Sequence, residues 1–297
     1  MGKIAIKSHP YISIITINFN NRIGLERTIR SVISQTYSNF EYIIIDGGSS
    51  DGSKDVIEKY KNHFSYWVTE PDNGIYHAMN KGVKQAKGEY CLFLNSGDFL
   101  CNSQTLNSAA KEIQKSQADF CTGSILVSRN NKICGITPPK KEARFFLFDQ
   151  YLQHQATFIK KYWLEKTPYP ENTRIVGDWL HYTICISGEK ATYKPIKCLV
   201  SIFDLSGISQ TNSKLRRKEL NSVRNSFMPL WLYNEIATII SPNVHLFTIS
   251  KKKYPILFIL IKYIKKLRTQ PAKYWYKIKY NKKLKESLQA CEVDKEN

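Results

Sequence analysis

The chain has 297 residues, of which 42% are hydrophobic, so it can form one large domain or two ordinary ones with a real core. Its seven cysteines are scattered and include no CxxC pair, a spacing that excludes a zinc site or a disulfide framework and predicts a reducing cytoplasm. No apolar run reaches the roughly 20 residues that cross a bilayer, and the N-terminus carries no signal-peptide pattern.

The net charge of +19 is concentrated towards the C-terminus. Residues 214–286 carry 18 Lys or Arg against three Glu, whereas residues 1–213 carry 25 basic and 19 acidic groups. This asymmetry predicts a domain of nearly ordinary charge at 1–212 that is followed by a basic, helical extension at 213–297.

Strands and helices alternate over the first hundred residues. The predicted strands are 11–17, 41–45, 66–68 and 90–94, and the predicted helices begin near Leu25, Asp55 and Ile75. This alternation predicts an α/β fold with a mostly parallel sheet and right-handed crossovers. Neither a GxGxxG fingerprint nor a P-loop motif occurs, which disfavours a dinucleotide fold and a P-loop NTPase.

The pattern is looser after Phe99. The further predictions are a helix at 106–114, paired strands at 120–127 and 132–136, a strand at 156–159 and a helix at 178–186. We therefore divide the first domain into a nucleotide half, about 10–98, and a second half, about 99–212.

Three acidic residues stand at the ends of predicted strands or in the loops after them, namely Asp46, Asp72 and Asp98. Parallel strands bring these ends to one edge of the sheet, where ligands bind. Asp46 is placed to accept a hydrogen bond from a base, and Asp98 to hold a divalent ion on a diphosphate. Lys81, after Asn80, offers a fixed positive charge for phosphate. An ordinary turn is the alternative for Asn95-Ser96-Gly97-Asp98.

Four motifs together resemble family 2 glycosyltransferases of the GT-A fold, and most of all the bacterial branch that builds colanic-acid-type and capsular polysaccharides. The motifs occupy 13–20, 44–53, 70–82 and 93–98. The resemblance covers roughly residues 10–210. It implies a GT-A fold, with a mostly parallel, Rossmann-like sheet flanked by helices, and it makes 99–212 the acceptor half.

The resemblance also implies roles for single residues on the donor side. Thr16, Asn18 and Asp46 would border the base of the nucleotide. The other implied donor-binding residues are Asn20, Asp72, Asn80, Lys81, Asn95 and Ser96. Asn95-Ser96-Gly97-Asp98 stands in place of the DxD metal motif and keeps only the carboxylate of Asp98, so diphosphate oxygens and water would complete the coordination of Mg²⁺ or Mn²⁺. His77 departs from the branch, which more often has an acid there; a helix-surface histidine is the alternative.

A later segment, 174–179, corresponds to the part of the family that supplies the general base. Asp178 would take the proton of the acceptor hydroxyl as the new bond forms. Helix N-capping is the structural alternative for the same side chain. Trp179 and His154 would lie on the acceptor side, and a satisfied core histidine is the alternative for His154.

The implied activity is an inverting, hexosyltransferase-like transfer of one sugar from a UDP- or GDP-sugar to a saccharide acceptor, lipid-linked in our interpretation. The product class would be a bacterial surface polysaccharide such as capsule or O-antigen. The QxxRW motif of processive members is absent from the sequence, which predicts one sugar per encounter.

The basic extension suggests a membrane partner. Lys251, Lys252 and Lys253 precede an apolar run at 254–261, and further cations and aromatic residues follow. This composition suits the surface of an anionic membrane along 251–285, and predicts a peripheral protein on the cytoplasmic face. The alternative is a helix docked on the catalytic domain.

Two other function classes are open. A nucleotidyltransferase would also use a metal-bound nucleotide on an α/β sheet, but it would show a Gly-rich basic loop where 18–24 has only Arg22 and Gly24. A nucleic-acid-binding protein would suit the basic, tyrosine-rich tail. No recognisable nucleic-acid module accompanies that tail, so we expect no nucleic-acid partner.

Overall fold

One sheet and seven helices account for most of the residues that the computed structural model describes, which are 9–129, 132–139, 153–205 and 212–227. The strands are β1 (Ile12–Asn18), β2 (Phe40–Asp46), β3 (Tyr66–Thr69), β4 (Tyr90–Phe93), β5 (Phe99–Leu100), β6 (Phe120–Arg129), β7 (Lys132–Thr137), β8 (Thr157–Lys160) and β9 (Tyr193–Asp204). The helices are α1 (Arg22–Ile33), α2 (Ser53–Tyr60), α3 (Ile75–Gln85), α4 (Thr105–Ser116), α5 (Lys161–Lys166), α6 (Gly177–Tyr182) and α7 (Ser213–Phe227).

The nucleotide half forms the parallel part of the sheet. The strand order is β3-β2-β1-β4-β8-β6-β9-β5, and β7 pairs with β6. β1 lies between β2 and β4, and β2 lies beside β3, all parallel. The carboxyl ends of these strands therefore meet at one edge, which is where an open α/β sheet binds its ligand.

Both faces of β1 are buried, because helices cover both sides of the sheet. Ile14 packs in one core with Leu25 and Ile29 of α1, and Ile15 packs in a second core with Met79 of α3. α3 lies close to the sheet: a Cβ at Gly82 would be only 2.4 Å from the Ile15 side chain. This contact fixes the height of α3 above the strand ends that carry the site.

The acceptor half adds mostly antiparallel strands. β8 runs antiparallel to β4 and β6, and β5 antiparallel to β9, while β9 runs parallel to β6. The predicted pairing of 120–127 with 132–136 is confirmed by the antiparallel pair of β6 and β7. The sequence pattern missed β9, because Pro195 and the two nearby lysines, Lys194 and Lys197, are typical of a loop or an edge rather than of a paired strand.

The helix α7 packs on the acceptor half. Its Leu220 and Val223 are buried against Ile175, Val176 and Trp179. The first helix of the predicted extension thus contacts the segment that carries the candidate base, although the boundary that we drew from charge lies just before it, at 212. The predicted membrane segment, 251–285, lies outside the described residues. Within the described part of the chain, no helix has the length and apolar character needed to span a bilayer.

Candidate active site

A cleft of about 910 Å³ opens at the carboxyl ends of β1, β2 and β4. One side is lined by the loops after these strands, including Asn18, Gly47 and the 95–98 segment. The other side is lined by the 174–179 segment and by residues of β6, β9 and α7. Loops from both halves thus line one space.

Asp46 lies beneath the cleft surface and is held by a closed hydrogen-bond network. Its Oδ1 accepts hydrogen bonds from Asn18 Nδ2 at 2.7 Å and from Ser49 Oγ at 2.5 Å, and its Oδ2 accepts one from the Ser49 amide at 3.0 Å. The side chain is fully buried. Asp46 therefore holds Asn18, which lines the cleft and whose own Oδ1 is buried and has no hydrogen-bond partner among the described residues.

Two other predicted base-side residues also have internal partners. The Thr16 side chain is fully buried, and its hydroxyl lies 3.0 Å from the hydroxyl of Tyr42, so it does not line the cleft. Asn20 is exposed. Its backbone amide donates a hydrogen bond to Ser49 Oγ, and its Oδ1 accepts one from the Ser50 backbone amide. Of the predicted base-side residues, Asn18 is the one that lines the cleft.

Asp72, a predicted donor-binding residue, lines the cleft. Its Oδ1 accepts a hydrogen bond from the Gly74 amide at 2.8 Å. Gly47 leaves room for this carboxylate, since a Cβ there would lie 2.5 Å from Asp72 Oδ2. His77, in the first turn of α3, accepts a hydrogen bond from the Asn73 amide at 3.1 Å. The backbone of the loop before α3 is thus held by hydrogen bonds to the side chains of Asp72 and His77.

The structure corrects the placement of Asn80 and Lys81, neither of which lines the cleft. Asn80 Nδ2 donates to the Tyr169 carbonyl and to Glu171 Oε1, both at 2.9 Å, and its Oδ1 accepts from the Tyr169 amide. Lys81 forms an ion pair with Glu70 at 2.7 Å. Both side chains tie α3 to neighbouring loops, so the positive charge predicted for phosphate is already paired.

The 95–98 loop is held by the start of α1. Asn21 Nδ2 donates to the Ser96 carbonyl at 2.9 Å, Arg27 to the Gly97 carbonyl at 2.8 Å and Thr28 to the Asp98 carbonyl at 2.7 Å. Gly97 has a φ of +108°, which side chains rarely adopt. The loop is therefore shaped by three specific contacts and a glycine, which is more than an exposed surface turn requires.

The oxygen atoms at this loop suit a hard cation. Asp98 is 6% exposed and lines the cleft beside Asn95 and Ser96. Asn95 Oδ1 is buried and has no hydrogen-bond partner among the described residues. The described parts of the chain contain no cluster of three or more His, Cys, Asp or Glu side chains with metal-site geometry. One carboxylate and one amide oxygen fit a Mg²⁺ or Mn²⁺ ion that takes its other ligands from the donor and water.

Asp178 faces this loop and is joined to it by His154. Asp178 Oδ2 lies 3.0 Å from His154 Nδ1, and His154 Nε2 lies 3.3 Å from Asn95 Nδ2. If the Nδ1–H donates to Asp178, Nε2 is free to accept from Asn95. Asp178 Oδ1 also accepts the Tyr76 hydroxyl at 3.2 Å and the Trp179 amide at 2.7 Å. A continuous polar chain therefore connects the two sides of the cleft.

The electrostatics of His154 follow from these contacts. Burial alone lowers the pKa of His154, but the hydrogen bond to Asp178 and the negative charges of Asp178 and Asp98 outweigh it, so the pKa is raised above its usual value. His154 is thus hydrogen-bonded on both ring nitrogens within the cleft, and its role on the acceptor side stays a prediction.

Glu219, which the sequence analysis missed, caps the segment before Asp178. Its carboxylate accepts the amides of Arg174 and Ile175, both at 2.9 Å, and that of Val176 at 3.2 Å. Glu219 is 3% exposed. Asp178 itself lies inside the first turn of α6 and not at its N-cap. A usable signal existed, since Glu219 is the single acid in the basic stretch 214–234.

The family follows from comparison with known sequences. The family model described as glycosyl transferase family 2 matches residues 13–169, more than half of the chain. The chain belongs to this family. The matched region ends before Asp178 and Glu219, so the contacts of these two residues are known from the structure and not from the match.

Two curated relatives share the first part of the chain. An uncharacterised glycosyltransferase of Mycobacterium tuberculosis is 46% identical over 92 residues, which are 31% of this chain and 35% of that protein. A candidate teichuronic acid biosynthesis glycosyltransferase of Bacillus subtilis is 36% identical over 94 residues, 30% of this chain and 36% of that one. The chain thus spans about a third of the length of the first curated relatives that it matches.

The fold is shared with solved structures. Staphylococcus aureus TarS, residues 1–349, in complex with UDP-GlcNAc, has a TM-score of 0.57 at 16% identity, over 94% of this chain and 79% of that one. The predicted GT-A-like α/β fold and the predicted glycosyltransferase family are both confirmed. The colanic-acid and capsule branch is a finer prediction, which these comparisons leave as a proposal.

Proposed function

We propose that this protein is an inverting, non-processive glycosyltransferase that moves one sugar from a nucleotide-diphosphate-sugar to a saccharide acceptor. The observation that carries the proposal is the position of Asp178. Its carboxylate lines the same cleft as Asp98, and Tyr76, His154 and the Trp179 amide hold it there. A fixed carboxylate opposite a candidate cation site is what a single displacement at an anomeric carbon needs.

The reaction is one step in this proposal. The acceptor hydroxyl oxygen forms a bond to the anomeric carbon of the donor sugar while the bond from that carbon to the diphosphate oxygen breaks. The hydroxyl proton passes to Asp178, and the electron pair of the broken bond leaves with the nucleoside diphosphate. His154 and Tyr76 fix the carboxylate so that a lone pair points at the acceptor, which lowers the cost of orientation.

A divalent cation completes the donor side in this proposal. Asp98 would hold it, and a further candidate ligand is the Oδ1 of Asn95, which has no hydrogen-bond partner within the described residues. When bound, Mg²⁺ or Mn²⁺ supplies positive charge that stabilises the departing diphosphate. This need is greater here because Lys81, our predicted phosphate contact, is paired with Glu70.

The base of the nucleotide would meet Asn18 rather than Asp46. Asp46 holds the amide of Asn18, which leaves the Asn18 Oδ1 acceptor for a base N–H. Asp72 and Ser96 line the same side of the cleft. A UDP- or GDP-sugar fits this role, and the TarS complex with UDP-GlcNAc supports the nucleotide-sugar class.

The biological setting that we propose is bacterial surface polysaccharide synthesis, such as capsule or O-antigen, with a lipid-linked acceptor. The relative named for teichuronic acid biosynthesis supports it. The protein would act as a peripheral protein on the cytoplasmic face, through an anionic membrane surface along 251–285. A nucleotidyltransferase or a nucleic-acid-binding protein is the alternative class.

A nucleotide-sugar screen tests the proposal. Purified protein is offered UDP- and GDP-sugars with and without Mn²⁺, and binding and slow hydrolysis are measured. We expect one donor class to bind with Mn²⁺, and the Mn²⁺ dependence to be lost in Asp98→Asn but not in Asp55→Asn, which changes an exposed carboxylate on α2. Binding of single-stranded or duplex nucleic acid, with no nucleotide-sugar bound, would favour the rival class.

A further inference from the structure

The acceptor side of the cleft carries an apolar wall. It is built by side chains of β6, of the end of β9 and the residue that follows it, and of α7, namely Ile125, Val127, Phe203, Leu205 and Leu220. Ile125 and Leu220 are buried, while Val127, Phe203 and Leu205 keep partial exposure to the cleft. A sugar hydroxyl acceptor alone does not need such a surface, because saccharides bind through hydrogen bonds and isolated aromatic rings.

Two arginines stand at the same end of the cleft. Arg174 and Arg216 are the only Lys or Arg side chains that line it among the described residues. Glu219 connects the two segments, since it binds the Arg174 amide at 2.9 Å and lies three residues, about one helical turn, after Arg216 on α7. The packing of α7 therefore brings both cations beside the 174–178 segment that carries Asp178.

Both guanidinium groups are without a polar partner among the described residues. No ion pair or side-chain hydrogen bond joins either guanidinium to the residues whose structure is described, whereas Arg30 pairs with Glu26. A guanidinium donates two parallel hydrogen bonds to a phosphate, and these charge-assisted bonds are stronger than neutral ones. Two guanidinium groups that have no partner within the described ranges, placed beside an apolar wall, match an amphiphile with an anionic head.

We propose that Arg174 and Arg216 bind the phosphate of a lipid-linked acceptor whose hydrocarbon chain lies on the apolar wall. This inference rests on the proposed function and names its acceptor class as a lipid phosphate or diphosphate saccharide. The arginines would set the distance between the lipid phosphate and Asp178, so that the sugar hydroxyl reaches the base. The donor diphosphate would stay at the 95–98 loop, on the opposite side.

Calorimetric binding with a short lipid phosphate tests the subsite. The probes are farnesyl phosphate, farnesol and inorganic phosphate, titrated into the full chain. We expect farnesyl phosphate to bind more tightly than either fragment, and Arg174→Gln and Arg216→Gln each to weaken it tenfold or more. Arg217→Gln is the matched control, since Arg217 is the exposed neighbour of Arg216 on α7 and does not line the cleft.

Measurements of nucleotide binding to the same variants show whether the arginines bind the donor instead of the acceptor. UDP and GDP are titrated into the same variants with Mn²⁺, and thermal unfolding confirms that each variant is folded. Weaker nucleotide binding with unchanged farnesyl phosphate binding would assign the arginines to the donor and overturn the proposal. Equal loss in Arg217→Gln, or equal binding of farnesol, would also overturn it.

The two proposals can fail separately. If the wild type hydrolyses no nucleotide-sugar but its farnesyl phosphate binding still depends on both arginines, the lipid phosphate subsite stands and glycosyl transfer does not. If the wild type hydrolyses a nucleotide-sugar but binds farnesyl phosphate no better than inorganic phosphate, the transferase stands and the subsite does not.

Discussion

The nucleotide half and the acceptor half, together with α7, build their sides of the cleft in different ways. On the nucleotide side, Asn18, Asp46 and Ser49 bind one another across two adjacent strand ends. On the acceptor side, Asp178 is held by Tyr76, 102 residues earlier in the chain, and its segment by Glu219. The residues of a side that is built from neighbouring strand ends can be predicted from sequence motifs. The residues of a side that is built from contacts between distant parts of the chain cannot, because their positions depend on tertiary packing.

The largest effect is expected from Asp178→Asn, which removes the candidate base and keeps the size of the side chain. Loss of a general base lowers the rate of transfer by roughly 10²–10⁴-fold. We expect donor affinity to be unchanged, because Asp178 lies on the acceptor side. Steady-state transfer rates and calorimetric donor binding measure the two quantities.

The matched control for this base is Asp55→Asn on α2. Near-normal turnover in Asp178→Asn would remove the base assignment. A parallel loss of donor binding would show that the two sides of the cleft are not separable, and would break the comparison between them.

A smaller loss is expected from Glu219→Gln. The neutral amide accepts the three backbone amides less well than the carboxylate does, so the 174–178 segment loosens. We expect a fall in kcat of about tenfold with unchanged donor affinity, and a loss of stability of about 1–3 kcal/mol. Transfer kinetics and urea unfolding measure these effects, with Lys218→Gln on the exposed face of α7 as control.

Comparing the effects of Glu219→Gln on kcat and on the free energy of unfolding distinguishes two roles for Glu219. A fall in stability with unchanged kcat would make Glu219 a purely structural cap. A fall in kcat that persists where the variant is fully folded would make it a positioning residue for Asp178, and would sharpen the view that distant contacts assemble the acceptor side.

The last prediction concerns the stability of the protein in acid and not its activity. It involves His181, in the acceptor half. Burial among Phe120, Tyr169 and Tyr182 lowers its pKa from 6.5 to about 4. Below pH 6.5 the unfolded chain takes up a proton that the folded chain does not, so stability falls until the pH reaches about 4. The full loss is about 3 kcal/mol.

Urea unfolding at about pH 7.5 and about pH 4.5 measures this dependence. We expect the difference between the two pH values to shrink in His181→Gln and to persist in His63→Gln, which changes an exposed histidine. An unchanged difference in His181→Gln would show that other groups cause the loss of stability in acid.

The sequence predicted more of the nucleotide half than of the acceptor half. β1 to β4 and α1 to α3 follow the alternation of apolar and turn residues, because each of these elements buries a face that its own pattern defines. β9 was missed because Pro195 is unusual in a paired strand. Asn80 and Lys81 were placed in the cleft because the motif contains them, but the direction of a side chain on α3 depends on what packs beside it.

The sequence by itself determined the α/β class, the family resemblance and the presence of Asp98, Asp72 and Asp178 at strand ends and in a late segment. These are local signals, since a few neighbouring residues carry each of them. Only the tertiary structure decided that His154 joins Asp178 to Asn95, that Asp46 binds Asn18 and that Glu219 caps the segment before Asp178. Such contacts join residues far apart in the chain, and no local pattern records which distant partner satisfies a buried polar group.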